Sequence, residues 1–507
     1  MQESRVGNAG RNVLFGMLLR CYQILMPFLM RTAIMYYMGR EYLGLNSLFG
    51  SVLFVLNLAE LGVGSAMVYS MYQPIIDGDK QEICALLKLY RKYYRIIGLL
   101  IAVVGTILTP FIPWLINSGV PDGISVYVVY LLNLFCTVMS YWLFAYKNSL
   151  LTAHQRADVA SKVMLATNTI QYLIQFVVVM KFRDYYAYLI VSIITQVFTN
   201  IITAYWAKKM YPEYNPDGEL PVTRVKEING KIKDLFTMKL GVVMVSSVDS
   251  ITVSAFLGLS VLGIYGNYTQ ILTAAFNVVK VLFDSCTAGI GNSILTDTSE
   301  KNFKDLKKLT FIVLWLTGFC CVLLLCLFQP FMLIWTKSAD NLFGYSTVIC
   351  FVIYFFLDRV MQLLITYKDA AGIWHEDRFR PLVTAIVNVV MNIILILVMG
   401  LNGVIISTII SILFVGIPWI LHNLFTVLFK RSMKEYVWKL LFYTIVIVFV
   451  CVVCAIICSY IPDGGIGRLL LKAVVCGVVA NALFALAYFK TPEFAQTMDI
   501  VKRLVRR

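Results

Sequence analysis

Charge is what this sequence has least of. Only 14% of its 507 residues are charged, against about a quarter in an ordinary soluble domain. With 60% hydrophobic residues and a mean hydropathy of +0.79, that scarcity excludes a soluble globular protein. The apolar stretches are long rather than short and alternating, so they read as helices of a polytopic bundle and not as strands of a membrane barrel. Histidine is scarcer still: His154, His375 and His422 are the only three. No His-Glu-x-x-His, phosphate-cradling glycine loop or nucleophile elbow is present, which argues against an enzyme. There is no polar stretch long enough for a nucleotide domain, which argues against an ATP-driven pump. No small-residue cleavage site follows the polar, basic start (Arg5, Arg11), so the first apolar segment is expected to stay as a span. The twelve cysteines are scattered through apolar runs and show no disulfide framework. Cys451, Cys454 and Cys458 share one helix face, read here as a small apolar lining rather than a metal site. No cofactor is implied.

The apolar runs predict an all-α membrane protein of about fourteen spans: 13–38, 42–70, 93–117, 124–147, 163–181, 185–207, 236–257, 262–288, 309–336, 342–367, 382–399, 402–427, 439–460 and 466–489. Lysine and arginine test its orientation. With the N-terminus inside, only Arg40, Lys181, Arg183, Lys337 and Arg468 fall in outer loops, and Arg20, Arg31, Lys280, Arg359 and Lys472 fall within spans. All other basic residues lie on the inner side, which places both termini in the cytoplasm. The net charge of +15 therefore reads as basic inner loops and not as a nucleic-acid surface.

An internal repeat divides the chain. Gly39-Arg-Glu-Tyr-Leu-Gly44 matches Gly258-Leu-Ser-Val-Leu-Gly263 at an offset of 219 residues. Tyr146-Lys147 with His154 matches Tyr367-Lys368 with His375 at an offset of 221. Two matches at nearly one offset predict two like six-helix lobes, 1–235 and 236–427, joined by the proline-marked inner loop 208–235. Residues 428–507 then add two further helices and a basic tail. Paired lobes with a substrate path between them are a common transporter plan.

Charges inside spans cost about 2.5–3.5 kcal/mol each on insertion scales and mark polar interiors. Arg20 and Arg31 stand eleven residues apart in the first span, three turns plus roughly 20°. They share a stripe with Gln23 and Pro27, read as one wall of a water-filled cationic cavity. Lys280 and Asp284 are spaced to pair on one helix face, continuing a seam of Asn267, Gln270, Thr273 and Asn277. Asp358 and Arg359 adjoin Tyr354 and Gln362. Asp249 sits among serines, and Glu60 precedes Leu61-Gly-Val-Gly64. Glu60, Asp249, Asp284 and Asp358 are candidates for ion coupling or for pairing within the cavity. Asn168, Gln171, Gln175, Asn388 and Asn392 are spaced to join helices through their amides. His154 with Asp158, and His375 with Asp377, could serve as acid/base pairs, but their matched placement in both halves favours a structural or gating loop.

Arg31-Thr32, Gly39-Arg-Glu-Tyr-Leu-Gly-Leu-Asn46, Leu58-Ala-Glu-Leu-Gly-Val-Gly-Ser65 and Asp369-Ala-Ala-Gly-Ile-Trp-His375 through Asp377-Arg-Phe-Arg-Pro381 resemble the polysaccharide-transporter family. These are bacterial flippases for O-antigen, capsule and exopolysaccharide repeat units, in the superfamily that also holds multidrug and toxin extruders and lipid II flippases. The resemblance implies a two-lobe bundle in the bacterial cytoplasmic membrane. Its substrate would be an oligosaccharide on an undecaprenyl diphosphate, moved from inner to outer leaflet by alternating access. It implies that Arg20 and Arg31, and after them Lys280 and Arg359, receive the anionic substrate. Partners would be the lipid-linked oligosaccharide, the bilayer, and a polysaccharide polymerase or other assembly proteins. Arginine's planar fork suits phosphate oxygens. Two alternatives stay open: a cation-coupled multidrug exporter, which Asp249 and Glu60 would serve, and a lipid II flippase in peptidoglycan synthesis.

Overall fold

The apolar runs become helices along the whole chain. A computed structural model describes residues 5–60 and 62–505, and every regular element among them is helical. Ten helices among the described residues are long and apolar enough to cross a membrane. An eleventh is added if Val126–Trp142 and Tyr146–Ala153, bent by 51°, count as one broken span. The chain is a multi-pass membrane protein.

It divides into two compact units, Met1–Asn267 and Tyr268–Arg507. The first begins with α1 (Arg5–Tyr37), α2 (Arg40–Leu56) and α3 (Val63–Asp77). Here the structure corrects one expectation: 42–70 is not a single helix. After Leu56 the chain tightens into a 3-10 turn, Asn57–Glu60, and restarts at Val63. Gly62 takes φ 91°, and a Cβ there would stand 2.7 Å from the Leu235 Cβ, so only glycine fits the corner. Leu61 lies outside the described residues.

The unit continues with α4 (Lys80–Leu108), α5 (Val126–Trp142), α6 (Tyr146–Ala153), α7 (Ala157–Val177) and α8 (Tyr185–Met210). Asp79 caps α4 by accepting from the Glu82 amide at 2.9 Å. Asp184 caps α8 by accepting from the Tyr186 and Ala187 amides. Both use a carboxylate to satisfy first-turn donors.

A second correction concerns the inner loop 208–235. Its later half is already α9 (Val222–Thr296). Arg224 bonds Glu227 at 2.7 Å and Lys231 bonds Glu227 at 2.7 Å, the i,i+3 and i,i+4 pairs that support a helix start beyond Pro221. Gly258 breaks α9 with φ 85° and ψ 172°.

The repeat explains how α2 meets the residues after that break. A Cβ on Gly44 would lie 2.2 Å from the Leu259 carbonyl oxygen, and one on Gly263 would lie 2.1 Å from that of Arg40. Gly44 and Gly263 are repeat mates, and each admits the other's helix backbone at a distance only glycine permits. Their neighbours Glu41 and Ser260, also mates, bond each other at 2.7 Å. The two matched segments thus cross about a local pseudo-two-fold.

The second unit holds α10 (Ser299–Thr336), α11 (Tyr345–Ala370), α12 (Arg380–Met399), α13 (Leu401–Ser411), α14 (Ile417–Asn423), α15 (Lys434–Ser459), α16 (Gly465–Tyr488) and α17 (Pro492–Val505). Helices α13 and α14 join through π turns into one candidate span, Leu401–Leu428. Asn388 on α12 reaches the Thr408 hydroxyl at 2.9 Å, an amide joining helices as its spacing suggests. The late helices are fastened to α10 by aromatic packing. Phe311 and Trp315 meet Tyr488 edge-on or tilted, Tyr443 lies against Phe311, and Tyr436 shares a hydrogen bond with Thr310 at 2.9 Å.

Candidate functional site

The stripe on α1 resolves into two different arginines. Arg20 is exposed and, among the described residues, makes no hydrogen bond or ion pair. Arg31 is half-buried, and two of its donors are already committed. Its Nε donates to the Asn267 Oδ1 at 3.1 Å and its Nη2 to the Gly263 carbonyl at 3.3 Å. Gly266 leaves the room, since a Cβ there would stand 2.5 Å from Nη2. The buried Asn267 turns its Nδ2 toward the Met35 sulfur, 3.6 Å away. Arg31 therefore ties α1 to α9 and retains Nη1 for another acceptor.

Glu60 ends the 3-10 turn inside the first unit. Its Oε1 accepts from the Tyr94 hydroxyl at 3.2 Å, and Tyr94 accepts from Tyr90 at 2.7 Å. Tyr90 and Tyr94 are one helical turn apart on α4, both nearly buried, with ring centroids 4.4 Å apart. Tyr141 packs edge-on to Tyr94 at 5.4 Å and donates to Asn57 at 3.2 Å. Gly64 keeps this corner open: its Cβ would lie 3.0 Å from Oε1 and 3.1 Å from the Tyr90 hydroxyl. Beside the cluster lies a cavity of about 330 Å³ lined by Tyr90, Tyr94, Asn148, Asn168, Gln171 and Asn200, among others. Gln175 spans to α8, donating to the Tyr188 carbonyl at 2.9 Å and the Ser192 hydroxyl at 2.8 Å, whereas the Asn168 amide has no such bond among the described residues. An acid held by a tyrosine relay at the edge of a polar cavity can exchange a proton or attract a cation. The sequence reading had Glu60 but not its cage. The spacing of Tyr90 and Tyr94 on one face was the available signal.

The other candidates separate. Lys280 and Asp284 are both exposed on α9 and do not pair with each other. Asp249 is half-buried on α9. Arg359 on α11 is buried and compensated. It pairs with the neighbouring Asp358 carboxylate, donates to the Phe276 carbonyl at 3.3 Å, and lies over the Phe276 ring at 4.5 Å.

The matched loops carry ion clusters. In the first unit Asp158, with its side chain fully buried, takes Arg156 and Lys162 at 3.0 Å each. Asn12 of α1 clasps that loop, donating to the Gln155 carbonyl at 2.8 Å and accepting from the Asp158 amide at 2.9 Å. In the second unit Asp377 takes Arg380 at 2.8 Å and Lys368 at 3.3 Å. His154 packs tilted against Tyr211 with ring centroids 4.2 Å apart and turns Nδ1 to the Leu150 carbonyl at 2.9 Å. Burial pushes its imidazole below the ordinary value, against the upward pulls of that carbonyl and of Glu213. His375 contacts Arg378 instead. Neither histidine bonds the aspartate of its loop, so the acid/base pairing considered above is not formed.

No protein-family model matches the chain, and no curated protein matches it. Solved structures do. A lipid II flippase, MurJ, in an inward closed conformation superposes with a TM-score of 0.68 at 16% identity, covering 94% of this chain and 99% of that one. A multidrug resistance MATE family transporter of the MOP superfamily, inward-facing, gives 0.64 at 14% identity over 82% of this chain and 99% of that one. A MOP superfamily transporter from Pyrococcus furiosus, described by a reverse polarity of its binding pocket, gives 0.55 at 14% identity over 84% and 96%. The chain has the fold of these transporters.

Proposed function

We propose that this protein is a flippase for a lipid-linked oligosaccharide bearing a diphosphate, carried from the inner to the outer leaflet of a bacterial plasma membrane by alternating access. The product would enter cell-surface polysaccharide assembly and pass to a polymerase or other assembly proteins. The observation that carries this reading is Arg20: an exposed cation on an apolar helix, with no anion set against it among the described residues, on the same stripe as Arg31. A permanent charge in that setting calls for an anionic ligand, and a guanidinium suits phosphate oxygens. The motifs 39–46 and 369–381 support a polysaccharide-unit substrate. Arg359, neutralised by Asp358, contributes less to anion capture than Arg20. Lys280 is exposed and stands as a secondary candidate for contact with an anionic cargo.

Glu60 is the proposed coupling group, because its carboxylate sits on the Tyr94–Tyr90 relay. The same cluster favours a second reading, a cation-coupled exporter of cationic compounds. The fold is equally compatible with lipid II as cargo. Proteoliposomes offered an undecaprenyl-diphosphate oligosaccharide, lipid II or a cationic dye separate the three. Faster translocation of the oligosaccharide than of the other two supports the proposal. Dye efflux alone, or preference for lipid II, replaces it.

A further inference from the structure

Helices α10, α15 and α16 bring three cysteines together that are remote in sequence. Cys326, Cys458 and Cys476 are all buried, and their sulfur atoms lie within 4.8 Å of one another. The Cys458 and Cys476 sulfurs are 3.3 Å apart. Sequence spacing had grouped Cys458 with Cys451 and Cys454, its neighbours on one helix face. The structure pairs it across helices instead.

We infer that Cys326, Cys458 and Cys476 form a binding site for a thiophilic monovalent metal ion, Cu(I). A metal–sulfur bond of about 2.3 Å places three sulfurs of a trigonal site about 4 Å apart, so the thiols need move only by tenths of an ångström. The donor set is wholly soft, and the three sulfurs come without histidine or carboxylate, which favours Cu(I) over hard ions. A closed, buried triplet also disfavours zinc, which takes four ligands. Entry is short, because Cys458 lies in the last turn of α15. Lys472 lies one turn from Cys476 on the same face of α16, and its Nζ sits 2.5 Å from the Asp463 Oδ1. Binding changes no oxidation state: Cu(I) bonds the sulfurs, and the displaced thiol protons pass to water. Cys320, Cys321, Cys451 and Cys454 are buried in the same unit, yet no other triplet among the described residues meets this geometry. Mere small-residue packing would not require the convergence. A bound ion would staple the α15–α16 hairpin to α10. The inference is independent of the cargo.

The test uses the full-length purified protein, reduced with a phosphine and titrated anaerobically with Cu(I) against a chromophoric Cu(I) chelator. One ion per chain is expected, with X-ray absorption reporting a three-sulfur shell. Cys458→Ala or Cys476→Ala should weaken binding by more than the roughly 10–100-fold that loss of an outer-shell partner costs. Cys320→Ala and Cys321→Ala should leave it unchanged. Should a variant fail to fold, alkylation of the native chain decides: Cu(I) should protect Cys326, Cys458 and Cys476 and no other buried cysteine. Absence of stoichiometric binding, binding insensitive to the Cys458 and Cys476 substitutions, protection spread over all cysteines, or a Cys458–Cys476 disulfide in the protein as isolated would each overturn the site.

Discussion

Asp158 and Asp377 occupy matching loops of the two halves, and each holds two cations, yet their removal should cost very different amounts. Asp377 is 3% exposed, and its partners Arg380 and Lys368 are 8% and 5% exposed. Asp377→Ala strands both cations away from water, a situation that typically costs about 3–5 kcal/mol. Lys368 keeps Asp369 at 2.5 Å, which holds the loss near the lower end, about 3 kcal/mol. Around Asp158 the balance differs. Arg156 is 21% exposed and Lys162 43%, so both can turn to solvent when the carboxylate goes. Pairs with that access are worth roughly 0.2–1 kcal/mol each, giving about 0.4–2 kcal/mol for Asp158→Ala. The difference, about 1–2.6 kcal/mol, is roughly 5- to 70-fold in the folding equilibrium. Reversible denaturation of the purified protein, read by tryptophan fluorescence, measures both. Equal losses, or a larger loss at Asp158, would show that burial of the partners does not set the cost and would refute the argument.

Other expectations follow from the same geometry. Gly263→Ala should lower stability by at least about 1–3 kcal/mol, because its Cβ meets the Arg40 carbonyl at 2.1 Å. Gly289→Ala, with nothing within 4 Å, should be neutral or stabilising by up to about 1 kcal/mol; thermal melts of the two variants check this. Glu60→Gln should abolish the dependence of transport on a proton or sodium gradient while leaving downhill exchange, and unaltered gradient dependence in proteoliposomes would remove Glu60 from coupling. The depressed pKa of His154 makes the unfolded chain bind the proton more readily than the folded one. Its contribution is therefore complete above the ordinary histidine value, about 6.5, and is lost as pH falls through the folded value. Melting temperature of the native chain should drop more between pH 7.5 and 5 than that of His154→Phe.

Much of this was legible in the residues. Long apolar runs gave the helices because each must satisfy its own backbone in a membrane. The repeat 39–44/258–263 was visible as a pattern, but not its purpose, since a pseudo-two-fold crossing at Gly44 and Gly263 is a long-range contact that no local period encodes. The break at Gly62 was missed because the apolar pattern runs straight through it, and positive φ leaves no trace but the glycine itself. The helical start of α9 was hidden by the prolines just before it. Arg20 and Arg31 looked alike by periodicity. Their difference lies in Asn267 and the Gly263 carbonyl, more than two hundred residues away. The cysteine triplet was illegible for the same reason, being drawn from three helices.

Reception of an anionic lipid-linked cargo by the α1 cations is the central proposal. The direct measurement is translocation of a fluorescent undecaprenyl-diphosphate oligosaccharide in proteoliposomes by the native protein, Arg20→Gln, and Arg20→Gln/Arg31→Gln. Arg20 makes no bond to another described residue, so its loss should spare stability; Arg31→Gln removes the charge and keeps an amide donor for Asn267. Rapid translocation is expected from the native chain, slower translocation from Arg20→Gln, and little from the double variant, with all three equally folded. Undiminished translocation by a folded double variant would contradict that proposal.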